Sequence, residues 1–244
     1  MRPKIYLFGD SITEFSFADG GWGSALTNHF TRKADVVVRG YSGYNTRWAL
    51  KVIERVFPPS EEREAASPLA VTVFFGANDA CLPDRYGAFQ HVPLHEYKQN
   101  LISIVTFFKV YSCFTAVILF PHICKICRCQ SINYFSNPYV PNPLNEPERT
   151  NDAAGAYANA CIAVAKECGV SVIDIWTKMQ QVPGWEKACL SDGLHLTRNG
   201  NTIVFEEVVK RLEEEGLSPE TLPADLPLFS EMDSTNPLKA FEKL

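Results

Sequence analysis

The chain has 244 residues, 46% of them apolar, and a formal net charge of −5. That length suits one α/β domain, which commonly runs to ~250 residues undivided. No stripe of Lys and Arg marks a nucleic-acid footprint, and the longest apolar stretch, Val110 to Ile126, is broken by His122 and Lys125 and falls short of the ~20 residues of a membrane span.

Met1-Arg2-Pro3-Lys4 leads at once into Ile5-Tyr6-Leu7-Phe8, an apolar run closed by Gly9. A signal peptide needs a longer apolar region and a small-residue cleavage site before the fold begins, so a cytoplasmic protein is expected. Further runs follow at Val36-Val37-Val38, at Val71 to Phe75 before Gly76, at Val117 to Phe120 before Pro121, and at Val170 to Ile175. Continuous β-branched and aromatic runs of this length suit strands buried on both faces.

Helical patterns lie between them. Trp48, Val52 and Val56, with the offset pair Ala49 and Ile53, form a stripe at three-to-four spacing. Leu94 to Phe108 reads as a second helix, and Asn151 to Cys168 as a third with Gly169 as its stop. Ile203, Val204, Val208 and Leu212 make a last stripe before Gly216. Strand-helix alternation predicts a three-layer α/β/α sandwich with a five-stranded parallel sheet. The expected domain is 1–216. Residues 217–244, with Pro219, Pro223, Pro227 and Pro237, read as an extended tail along the surface. The eight cysteines are expected as reduced thiols, with Cys161 and Cys168 as small core residues.

Four short blocks carry chemical potential. Gly9-Asp10-Ser11 follows the first strand, at the carboxyl end where open parallel sheets bind ligands. Ser11 there reads either as a nucleophile or as a helix cap. Asp192-Gly193-Leu194-His195 offers a base, and an acid to fix its tautomer; alone, the two equally read as a turn and an ordinary histidine. Gly76-Ala77-Asn78-Asp79 follows the third strand, and its Asn amide can serve an oxyanion or simply make a turn. Ser42-Gly43-Tyr44-Asn45 follows the second strand, where Gly43 lets a backbone N–H come close to a reacting oxygen or merely forms a turn.

Taken together, in this order and over nearly the whole chain, these blocks resemble the four signature blocks of the GDSL/SGNH hydrolases. Phe8-Gly9-Asp10-Ser11-Ile12-Thr13, Gly43-Tyr44-Asn45-Thr46-Arg47-Trp48 and Pro147-Glu148-Arg149-Thr150-Asn151 are similar to the isoamyl-acetate-hydrolysing esterase branch in its plant forms. The resemblance implies a flavodoxin-like sheet and a serine esterase acting on small carboxylic esters through an acyl-enzyme. It implies Ser11 as nucleophile, His195 as base and Asp192 as its orienting acid. The oxyanion hole would be Ser11 N–H, Gly43 N–H and the Asn78 side chain. It implies no metal and no organic cofactor, and only a small-molecule ester as partner. A carbohydrate O-deacetylase, lysophospholipase or thioesterase on the same scaffold is the alternative, because function lies in the walls of the site. Phe15, Phe17, Trp22 and Tyr44 are candidates for an acyl pocket, with Trp22 read rather as core.

Residues 110–136 depart from that pattern. Either a substrate-side loop has diverged, or translated intron or alternatively spliced sequence replaces the native exon, the reading preferred on the abrupt change of composition. If the fourth strand is misplaced, a catalytically impaired product results. Cys124-x-x-Cys127-x-Cys129 with His122 falls in this stretch. Three cysteines crowded into six residues fit zinc poorly, since its sites usually use two separated pairs.

Overall fold

The computed structural model describes residues 2–58, 68–111, 115–121 and 146–242. Its centre is a five-stranded sheet in the order β2-β1-β3-β4-β5, made of β1 (Lys4–Gly9), β2 (Asp35–Gly40), β3 (Ala70–Phe74), β4 (Ala116–Leu119) and β5 (Ser171–Val172). Every neighbouring pair is parallel. The fourth strand is in place inside the atypical stretch. The cysteine cluster, His122 and most of the rest of that stretch lie outside the described residues.

The strands alternate inward-facing residues between two cores, as a period of two requires. Phe8, Val71, Val73, Val117 and Leu119 serve one face. Ile5, Leu7, Ala70, Phe74 and Ile118 serve the other. The first face is covered by α3 (Thr46–Val56), α4 (Leu94–Tyr111) and α5 (Asn151–Cys168). The second is covered by α2 (Trp22–His29), α6 (Ile175–Gln180) and α8 (Arg198–Glu214). Two short helices complete the described set: α1 (Ser11–Glu14) and α7 (Trp185–Ala188).

Helix ends follow their capping chemistry. Thr150 caps α5 through Ala153 N–H, and Gly169 closes it in the left-handed region at φ 60°. The predicted fifth strand is shorter than its apolar run. Asp174 accepts a hydrogen bond from Thr177 N and starts α6 at Ile175, so the cap overrides the β-branched pattern after Val172. Cys161 is buried and Cys168 half-buried, and Cys81, Cys161, Cys168 and Cys189 are free thiols. After Gly216 the chain contacts the body as far as Pro227. Asp225 pairs with Arg2 at 2.6 Å and Arg32 at 3.2 Å, and Lys33 Nζ donates to Leu222 O. No helix among the described residues is long and apolar enough to cross a membrane.

The topology places the loops that matter. Gly9 pairs with Gly40 on one side and Phe74 on the other. The segments after β1, β2 and β3 therefore leave the same sheet edge side by side. The chain order reverses between β2 and β3 around β1, which is where open α/β sheets bind ligands. Gly9 is needed at this crossing: a Cβ there would stand 2.1 Å from Thr13 Oγ1 and 2.6 Å from Phe74 O.

Candidate active site

Ser11 begins α1 rather than capping it. The cap is Asp10, whose Oδ1 accepts from Ile12 N at 3.0 Å. Ser11 Oγ is thereby left for His195 Nε2, 3.0 Å away. The other ring nitrogen, Nδ1, lies 2.6 Å from Asp192 Oδ2. Asp192 Oδ1 accepts from Leu194 N at 2.9 Å and His195 N at 2.8 Å. The loop carrying both residues is clipped at its base. Leu190 and Leu196 form an antiparallel bridge, Ser191 N donates to His195 O, and Thr197 N donates to Cys189 O.

The loops from β2 and β3 meet beside Ser11's strand. Gly43 adopts φ 80°, a conformation that costs an L-residue with a side chain. Asn78 is buried, and its Nδ2 donates to Tyr44 O at 2.8 Å. Among the described residues, no hydrogen-bond acceptor meets the N–H of Ser11 or of Gly43. Trp22 is core: it is fully buried, donates Nε1–H to Ile12 O, and its ring packs near Phe74 and Phe120. Phe15 and Phe17 are exposed, with the Phe15 ring edge-on to His195 at 6.0 Å. Tyr44 packs between Tyr41 and Trp48. A groove of about 350 Å³ opens beside Asp192, lined by Glu186, Lys187 and Leu190 among others, but neither Ser11 nor Asn78 borders it.

The family model for GDSL-like lipase/acylhydrolase matches residues 5–208. The chain belongs to this family. It is 61% identical over 245 residues to a GDSL esterase/lipase of Arabidopsis thaliana, covering 100% of this chain and 99% of that one. It is 38% identical over 251 residues to the human isoamyl acetate-hydrolyzing esterase 1 homolog, covering 96% and 90%. Its fold is similar to that of a lipase/acylhydrolase from Enterococcus faecalis, with a TM-score of 0.62 at 22% identity over 93% of this chain and 100% of that one. It also matches the acetyl xylan esterase AlAXEase, with a TM-score of 0.65 at 16% identity over 86% and 99%. The protein is a carboxylic ester hydrolase with an α/β/α sandwich fold.

The electrostatics of this GDSL hydrolase site separate its carboxylates. Burial works to raise the Asp192 carboxyl. The hydrogen bond and charge of His195, with the two backbone N–H donors, outweigh it and hold the group well below the usual carboxylate range. Asp10 and Asp79 are fully buried, and burial pushes each up to about 7. Asp79 accepts from Thr46 N and Thr46 Oγ1 and so ties the β3 loop to the start of α3. Both buried acids hold their proton more tightly folded than unfolded. Their contribution therefore makes stability fall as pH rises from about 4 towards 7. The melting temperature is expected to be lower at pH 8 than at pH 5, and Asp10→Asn, which keeps a capping side chain, to flatten the decline. An equal decline in the variant would refute Asp10 as a source.

Two residues at this site were not singled out by motif. Gln90, in the 3-10 turn Tyr86–Gln90, donates from Nε2 to Gly43 O at 3.0 Å and to Asn78 Oδ1 at 3.2 Å. Arg149, read only as part of a family-like run, is buried with its guanidinium against Ala77 O, Asn78 Oδ1 and Gln90 Oε1. Gln90 carries no sequence signal, since it lies outside all four blocks.

Proposed function

We propose that Ser11, His195 and Asp192 form a catalytic triad that hydrolyses small acetate-type esters through an acyl-enzyme. The observation that carries this reading is the unbroken hydrogen-bonded chain from Ser11 Oγ through the imidazole to Asp192. His195 Nε2 takes the Ser11 proton as Oγ attacks the ester carbonyl. Asp192 holds Nδ1–H and stabilises the imidazolium. The oxyanion receives the Ser11 and Gly43 N–H groups and the Asn78 amide. Collapse breaks the ester bond, and the imidazolium gives its proton to the leaving alcohol. Water, deprotonated by His195, then attacks the acyl-Ser11 ester and releases the carboxylic acid. The steps use side chains and backbone N–H groups of this chain and one water; the reading needs no metal and no cofactor, and no partner beyond the ester.

The preference for small acyl groups is supported by the similarity to isoamyl acetate-hydrolyzing esterase homologues. Initial rates on p-nitrophenyl acetate, butyrate and octanoate, on isoamyl acetate and on acetylated xylo-oligosaccharides test it. Fastest turnover on acetate esters of small alcohols is expected; a clear preference for octanoate would overturn the acyl assignment. Asn78→Ala is expected to lower kcat by about 10²–10³-fold, the usual loss for one oxyanion donor, with KM little changed. Near-normal kcat in that variant would remove Asn78 from the oxyanion hole.

A further inference from the structure

Asparagine amides turn easily about χ2, whose torsion is broad and has no deep wells. A useful oxyanion donor must therefore have its amide held with nitrogen towards the substrate. At Asn78 the orientation is set by chemistry at both ends. Tyr44 O, an acceptor only, faces Nδ2 at 2.8 Å. Arg149 Nη2, a donor only, faces Oδ1 at 3.0 Å. A flipped amide would put two donors against each other and two acceptors against each other.

The same guanidinium fixes a second amide. Arg149 Nη2 donates to Gln90 Oε1 at 3.0 Å, which turns Gln90 Nε2 towards Gly43 O and Asn78 Oδ1. Arg149 Nε donates to Ala77 O at 2.6 Å, on the peptide just before Asn78. Asn45 Nδ2 holds the Gln90 carbonyl at 2.9 Å. Arg149 is 4% exposed, Gln90 7% and Asn78 4%. In so dry a setting, a fully bonded polar network is stiff and an unbonded member is costly.

We propose that Arg149 is the positioning residue of the oxyanion hole, orienting the Asn78 amide directly and Gly43 through Gln90. This rests on the triad and oxyanion reading above. One hydrogen of Asn78 Nδ2 is used by Tyr44 O, and the second is the one offered to the substrate. A charged donor on Oδ1 polarises the amide and strengthens that N–H as a donor. Arg149 touches no substrate atom in this scheme; its charge acts from behind the amide.

A double-mutant cycle on p-nitrophenyl acetate tests the proposal, using wild type, Asn78→Ala, Arg149→Met and the double variant. Arg149→Met is expected to lower kcat on the order of ten- to a hundredfold, less than outright loss of a donor, with KM and the pH profile of kcat unchanged because His195 is untouched. In the Asn78→Ala background the same substitution should cost clearly less, only the part that reaches Gly43 through Gln90, since the amide it orients directly is gone. Arg149→Lys should recover little, because an ammonium lacks the planar fork that reaches all three acceptors. Loss of equal size in both backgrounds, or wild-type kcat in Arg149→Met, would overturn the proposal. If Arg149→Met lacks a cooperative melt, Gln90→Met tests the route to Gly43: a fall in kcat that persists in the Asn78→Ala background is expected, and wild-type kcat would overturn that route. An Asn78→Ala enzyme at full rate would overturn the oxyanion reading itself, and the proposal with it.

Discussion

Ser11→Ala should abolish ester turnover, with kcat falling on the order of 10⁴–10⁶-fold. Ser11 Oγ lies 3.0 Å from His195 Nε2, so the substitution removes the oxygen that would attack. The fold should survive. Asp10, not Ser11, caps α1, and an alanine at the first helical position keeps the backbone that the cap requires. The readout is p-nitrophenyl acetate hydrolysis beside a thermal melt, with fluorophosphonate labelling of both proteins. A variant that melts normally yet still labels and turns over would remove Ser11 as nucleophile.

Asp192→Asn should cost about 10⁴-fold in kcat, the scale known for loss of the correct histidine tautomer. The reason is local. Oδ1 accepts two backbone N–H groups, from Leu194 and His195. An asparagine must keep its oxygen there, which turns its NH₂ towards His195 Nδ1. Nδ1 then becomes an acceptor and the ring proton moves to Nε2, facing Ser11. A base protonated on its working nitrogen accepts nothing. Asp192→Ala leaves the ring free to choose its tautomer and should be the less damaged of the two at alkaline pH. Asparagine and alanine variants with equal rates across pH would refute the tautomer argument.

The sheet was legible because its strands are written as unbroken apolar runs, although β3 alone is buried at every position and the edge strands β2 and β5 are half-buried. The fifth strand was overestimated for the same reason: Ile173 and Ile175 are buried, but Asp174 diverts the chain into a helix between them. α2 went unseen because its short stripe of Trp22 and Leu26 offers few repeats of the helical period. Ser11, Asp192, His195, Gly43 and Asn78 were visible as blocks following strands or as an acid three residues from a histidine. Gln90 and Arg149 were not visible as site residues. Their role depends on three segments far apart in sequence meeting behind one amide, and no local pattern encodes that.

The bond between Ser11 and His195 spans 184 positions of the chain. Every pairing in the sheet is likewise between parallel strands, which cannot close by a tight hairpin. Such non-local topologies fold slowly, because loop entropy is lost before long-range contacts form. Catalytic competence in a refolding chain therefore cannot precede docking of its two ends, however early individual helices appear. Recovered turnover is a report on the completed topology, whereas helical circular dichroism is not.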